Sequence, residues 1–275
     1  MGNLIDCLRP NERRGSKPRC HLLTHGSREQ VAAALTELAA PFARVAASDR
    51  WMPDGFVDLE EAQLHRAPRL VSRDLGEKLR SWWLAPASVR ARTPNFDIAS
   101  TCTFVDDDKP GLLLVEAKAH DEELGKESGG RLVGPGSSED SKASHDRIGA
   151  CVDEARQGLE QLTALPWSIS RDFRYQMSNR FAWAWKLASS GVPVVLIYLG
   201  FLRADEMRDK GKPFADADEW ECLVRGHSAH LVPPQAWGRK WGTAPTMIVP
   251  LIRSQERSLE ASGWQAAEVL ASKTA

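Results

Sequence analysis

Gly111-Leu112-Leu113-Leu114-Val115-Glu116-Ala117-Lys118-Ala119-His120 is the stretch that decides the fold. Four large aliphatic side chains follow one another without a polar break, so both faces of the segment are apolar, as in a strand covered on both sides. Two charges then close it. A charge at the tail of a buried strand is costly unless it is paired or bound to a metal, so Glu116 and Lys118 need a physical reason to be there. Side chains two apart in a strand project to one side, which sets Glu116 and Lys118 together while Val115 and Ala117 face the opposite layer.

Upstream, Pro94 to Phe104 is rich in β-formers, and the turn Asp106-Asp107-Asp108-Lys109-Pro110 leads from it into the aliphatic run. The two segments are predicted to form a β-hairpin. Ahead of them, Ser72 to Leu84 carries Leu75, Leu79, Trp82 and Trp83 at helical spacing, with Glu77 on another face. Ser27 to Ala39 opens on a serine N-cap with Gln30 three residues on, and is predicted helical. The first 25 or so residues, with Arg13, Arg14, Lys17 and Arg19 among Gly and Pro, are expected to form a loose basic arm.

Downstream, residues 121–143 are dominated by Gly, Ser and charge and are expected to be a mobile loop. Ser144 is predicted to cap a helix reaching Thr163, and Asp172 to Ala188 to form another. Val192 to Leu199 has the composition of a buried parallel strand. A helix over Asp216 to Val224, a short strand near Pro245 to Leu251 and a polar C-terminal helix complete the pattern. An α/β fold follows, with a mixed central β-sheet flanked by helices and further peripheral helices. Its expected parts are an N-terminal basic arm and helical elaboration (1–71), a core (72–202) and a C-terminal elaboration packed on it (203–275).

The 275 residues suffice for one substantial core. Hydrophobic residues make up 42% and charged residues 27%, and the longest apolar run, Val192 to Leu202, is too short for a bilayer. The N-terminus shows no secretory signal, so the expected location is the cytoplasm and no membrane partner is expected. Five widely spaced cysteines, none in a C-x-x-C pair, argue against a disulfide framework and a zinc ribbon and are expected as reduced thiols in or near the core. A formal charge of −1 excludes a globally basic surface, though not a local cluster of Lys and Arg along a phosphate-binding groove.

Acidic-x-lysine triplets occur at Asp107 to Lys109, Glu116 to Lys118 and Asp140 to Lys142, and of these the second ends a buried strand. If Asp97 on the preceding strand comes beside Glu116, two carboxylates offer oxygen ligands to one Mg²⁺, for which Mn²⁺ would substitute. The Ala117 carbonyl is a further candidate ligand. Such an ion lowers the pKa of a bound water and stabilises charge developing at phosphorus. Lys118 would orient or deprotonate that water, or neutralise the phosphate. Gln176, Asn179, Arg180 and Trp183 fall at i, i+3, i+4 and i+7, a stripe that could line the cleft with Arg180 on a phosphate. His120 shares the face of Lys118 and could touch substrate.

Pro94-Asn95-Phe96-Asp97, then nineteen positions to Glu116-Ala117-Lys118 on an apolar strand, followed by a helix and the strand Val192 to Leu199, resembles the PD-(D/E)XK nuclease superfamily. The likeness covers roughly residues 72 to 202. Here Asn95 and Phe96 stand between the proline and the aspartate that are adjacent in the name-giving motif. The resemblance implies a restriction-endonuclease-like α-β-β-β-α-β core, with Ser88 to Arg92 as its first strand, and a hydrolase that cleaves DNA, less often RNA, with a divalent metal. Asp97, Glu116 and Lys118 match its catalytic positions. Glu77 matches a carboxylate that many members place on the helix before the sheet, and Gln176, beside Tyr175, a residue that some place on the helix after it. Double-strand cutting by one site per chain would favour a homodimer.

A bland reading stands beside this one: Glu116 and Lys118 as a structural ion pair in a nuclease-fold protein that binds nucleic acid or acts as a scaffold without turnover. Asp121, Glu122 and Glu123 read as a solvated acidic turn, His145 as a helix-start residue, and the ten tryptophans chiefly as core. No G-x-S-x-G or phosphate-binding G-x-x-x-x-G-K-[ST] loop is present.

Overall fold

The computed structural model describes residues 4–85, 92–125, 129–130, 133–134 and 136–259. Its centre is a mixed sheet of β1 (Ala43–Arg44), β2 (Trp51–Met52), β3 (Ile98–Phe104), β4 (Pro110–Lys118), β5 (Val194–Leu202), β6 (Trp241–Thr243) and β7 (Thr246–Glu256). β1 and β2 both pair with β3, and β3 pairs with β4, all antiparallel. β4 then runs parallel to β5 and β5 parallel to β7, with β6 antiparallel at the far edge.

The aliphatic run explains the layering. Leu112 and Leu114 enter a core on one side, beneath α3 (Arg73–Trp83), α5 (Glu139–Thr163), α6 (Tyr175–Ser189) and α7 (Ala217–Ser228). Leu113, Val115 and Ala117 enter a second core under α1 (Ser16–Leu23) and α2 (Arg28–Ala39). Each aliphatic side chain so buried contributes about 1.5–3 kcal/mol, and β4, sandwiched by both layers, can hold its two charges only where the layers end. The aromatic groups of Trp82, Trp83 and Trp183 interlock at centroid separations of 5.3 to 6.2 Å and join α3 to α6.

Several expectations are corrected. The supposed basic arm contains α1, packed on the sheet: buried Arg19 makes a two-pronged ion pair with Glu206, and buried His21 hydrogen-bonds the Gly55 carbonyl. Its helical character escaped the hydrophobic pattern because its inward face is partly polar. The sheet extends beyond 72–202 on both sides, through β1 and β2 before and β6 and β7 after. The edge strands beside β3 come from residues 43–52, ahead of α3; of the segment Ser88 to Arg92, Arg92 is not in a strand and the others lie outside the described residues.

Within the expected loop 121–143, Asp121–Gly125 forms a short helix, α4, and α5 begins at Glu139. Ser138 caps it, accepting from the Ser141 amide, with Glu139 and Asp140 favourably placed in the first turn. The strand near 245–251 is eleven residues long and pairs with the whole of β5. Cys7 and Cys222 are exposed, whereas Cys20, Cys102 and Cys151 are buried; all five are free thiols. The expected C-terminal helix falls beyond residue 259, outside the described residues. Among the described residues no helix is long and apolar enough to cross a membrane.

Candidate active site

Where β3 and β4 diverge, the antiparallel register brings two carboxylates together. Ile98 opposite Val115 is the last ladder pair, so Asp97, one residue earlier, faces Glu116, one residue later. The Asp97 amide donates to the Val115 carbonyl at 3.1 Å, and Asp97 Oδ2 accepts from the Ala117 amide at 2.7 Å. Asp97 thus extends the ladder by one side-chain bond. Its other oxygen takes no protein hydrogen bond among the described residues.

Glu116 is 1% exposed and fully engaged. Its Oε1 accepts from Lys118 Nζ at 2.5 Å and from Gln176 Nε2, and its Oε2 accepts from Arg180 Nε at 2.6 Å. Arg180 also donates to Asn179 Oδ1 at 2.7 Å and lies over the Phe96 ring, 4.9 Å from its centroid. One turn of α6 therefore delivers Gln176, Asn179 and Arg180 to the end of β4, as their i, i+3, i+4 spacing allows. Trp183, the next position of that stripe, leaves the site and joins the tryptophan cluster.

The two carboxyls respond oppositely to burial. For Asp97, burial and then the negative charge of Glu116 outweigh Lys118 and the Ala117 amide, and its pKa is pushed up to about 8. For Glu116, burial also opposes ionisation, but Arg180 and Lys118 overcome it and hold the carboxyl below its ordinary range. At neutral pH the cluster is therefore a protonated Asp97 beside an ionised Glu116 with two cations. A surplus positive charge remains, which suits an incoming phosphate.

The candidate ligands for a divalent ion are three oxygens: the free Asp97 oxygen, a Glu116 oxygen that would exchange a cationic partner for the ion, and the Ala117 carbonyl. The observation favouring it is Asp97 itself, a carboxyl kept protonated first by burial and then by the negative charge of Glu116, which a cation would neutralise. Among the described residues no group of three or more His, Cys, Asp or Glu converges as a metal cluster, so a bound ion would rely on two carboxylates and on water.

The remaining candidates separate. Glu77 is exposed on α3, whose inner face is used by Gly76, Leu79, Trp82 and Trp83, and it makes no hydrogen bond or ion pair with Asp97 or Glu116. Glu61, which sequence reasoning missed, stands nearer: its charge adds to the upward push on Asp97, and its Oε2 accepts from Asn95 Nδ2 at 3.2 Å. It lies in an irregular stretch held to Phe96 by an isolated bridge through Ala62, so no periodicity pointed to it. His120 is buried beneath Gly211, whose bare Cα makes room for the imidazole; a Cβ there would sit 2.5 Å from Nδ1. It is covered by that turn and does not open onto the cleft. Glu123 turns inward to accept from the Ala119 amide at 2.5 Å, which corrects the expectation of a wholly solvated acidic turn.

Comparison with protein-family models, with curated proteins and with solved structures found no match to this chain.

Proposed function

We propose that this chain is a metal-dependent nuclease of the PD-(D/E)XK kind, hydrolysing phosphodiester bonds of nucleic acid, with DNA as its substrate. The observation that carries the reading is the pairing of Asp97 with Glu116 across the open end of β3 and β4, with Lys118 two residues on. The antiparallel β3–β4 hairpin, followed through α5 and α6 by β5 running parallel to β4, supports the finer fold assignment, although the strands on the other edge of β3 come from ahead of α3 and not from between α3 and β3. Mg²⁺, or Mn²⁺ in its place, would be held by Asp97, Glu116 and the Ala117 carbonyl and would supply Lewis acidity and a more acidic water. Lys118 holds a proton at Nζ that can orient the attacking water or neutralise the phosphate. Arg180 sits behind Glu116 and adds positive charge, Gln176 fixes the Glu116 carboxylate, and Asn179 fixes Arg180.

The engagement of both Glu116 oxygens favours a second reading, a nuclease-fold protein that binds nucleic acid or acts as a scaffold without turnover. Plasmid and oligonucleotide cleavage with Mg²⁺ or Mn²⁺ separates the two. The nuclease reading expects cleavage by the wild type and a loss of about a hundredfold or more in Lys118→Met, whose apolar stem keeps the packing, with an unchanged circular-dichroism spectrum. Intact substrates under every ion, with folded wild-type protein, would count against the nuclease and support the second reading.

A further inference from the structure

A cavity of about 640 Å³ opens beside the candidate active site. Its lining includes Arg9, Arg66 and Arg92, all exposed, and none of these guanidinium groups pairs with a carboxylate among the described residues. Lys17, the other lining cation, is already tied to Glu12 at 3.0 Å and Glu61 at 3.1 Å. Glu12, Glu60 and Glu61 also line it, so four cations stand against three carboxylates, and the three arginines, unpaired among the described residues, are the groups able to grip the oxygens of a phosphate two at a time. Gln63 and Asn95 add amide donors and acceptors to the wall, and Leu8, Met52 and Leu59 give it an apolar patch on which a base can lie.

Two lining residues, Asn95 and Glu61, link the cavity to the carboxylate pair, and the charge of Glu61 reaches Asp97. Asn95 stands two residues before Asp97 and donates to Glu61, and both are lining residues. Ala62 and Phe96, the neighbours of Glu61 and Asn95, exchange backbone hydrogen bonds of 3.1 and 3.0 Å, and the Phe96 ring lies under Arg180. The volume is that of a small-ligand pocket. It is on the scale of one nucleotide and not of a duplex.

We propose that this cavity binds one nucleotide unit of a single-stranded nucleic-acid segment, its phosphate held by Arg9, Arg66 and Arg92 and its base set against Gln63, Asn95 and the apolar patch. The inference rests on the nuclease reading of the Asp97–Glu116 pair and names the form of substrate that reaches it: a free end or a locally unpaired strand. The adjoining phosphodiester then lies at the end of β4.

The test is fluorescence anisotropy of a dye-labelled oligothymidylate, alone and paired with its complement, with Ca²⁺ replacing Mg²⁺ to prevent turnover. The single strand binds more tightly than the duplex. Arg9→Ala, Arg66→Ala and Arg92→Ala each weaken it by about tenfold, and the salt dependence of log affinity falls by about one per arginine removed. Equal affinity of the triple variant, or preference for the duplex, overturns the proposal. Cleavage followed in parallel keeps the two readings apart. Arginine-dependent strand binding by a wild type that cuts nothing removes the nuclease and leaves this site; cutting with an unchanged KM in the triple variant removes this site and leaves the nuclease.

Discussion

Arg19 and Arg180 are both buried, on opposite sides of the central sheet, and the company they keep differs. Arg19, on α1, reaches outward to Glu206, whose side chain is 31% exposed, so that pair closes at the rim where water still screens it. Arg180, on α6, meets Glu116 and through it Lys118, with none of the three side chains more than 8% exposed. Charge brought to a rim can serve as a clamp between elements. Charge gathered inside, next to a second carboxyl that burial and the charge of Glu116 keep protonated, costs desolvation that packing with apolar residues would have avoided. The contrast sets the costlier cluster at the end of β4, where the proposed function has its site, and the cheaper one on α1.

Breaking each pair at its acidic partner sharpens this contrast. Glu116→Ala leaves Lys118 and Arg180 buried without a counter-charge, and denaturant unfolding should show a loss of about 3–5 kcal/mol. Glu206→Ala leaves Arg19 able to recruit water at the rim and to keep its bond to the Gly15 carbonyl, so the same measurement should give a smaller loss of about 1–3 kcal/mol. Equal losses would mean that the two clusters are alike and that the β4 cluster is a structural clamp.

The two sides of the sheet also differed in how far they could be read from sequence. The aliphatic run of β4, the β5 run and the stripe Gln176-Asn179-Arg180 carry strong periodic signals, and the capping box joining Ser27 and Gln30 marked α2. Those signals sufficed to place Asp97, Glu116, Lys118, Gln176 and Arg180 in one neighbourhood. β1 and β2, two residues each, are too short for any periodicity, and they were recruited by pairing with β3 from far upstream. The second half of β7, Ile252-Arg253-Ser254-Gln255-Glu256, is polar because it is only partly covered, which hid a core strand. Glu61 and the arginine-lined cavity depend on irregular segments meeting in space. Glu77 misled because its helix turns another face to the core.

The account depends on Asp97 and Glu116 sharing a cation, and the melting temperature of the wild type and of Asp97→Asn between pH 4 and pH 8.5, with and without Mg²⁺, tests it most directly. The Asp97 carboxyl has its pKa raised to about 8 in the folded chain against an ordinary 3.8. The fold therefore holds that proton more tightly than the unfolded chain does, and the stability this gives is complete at pH 4 and lost as pH rises to 8. Without metal, the wild type should match Asp97→Asn near pH 4 and fall behind it by up to about 5 kcal/mol, on the order of 10 °C or more, as pH approaches 8. With Mg²⁺ the wild type should recover, more at pH 8 than at pH 6 because binding releases the proton, while Asp97→Asn should respond weakly. A wild type whose melting is indifferent to Mg²⁺ at every pH, or an Asp97→Asn variant that gains as much from the ion, would contradict the shared cation.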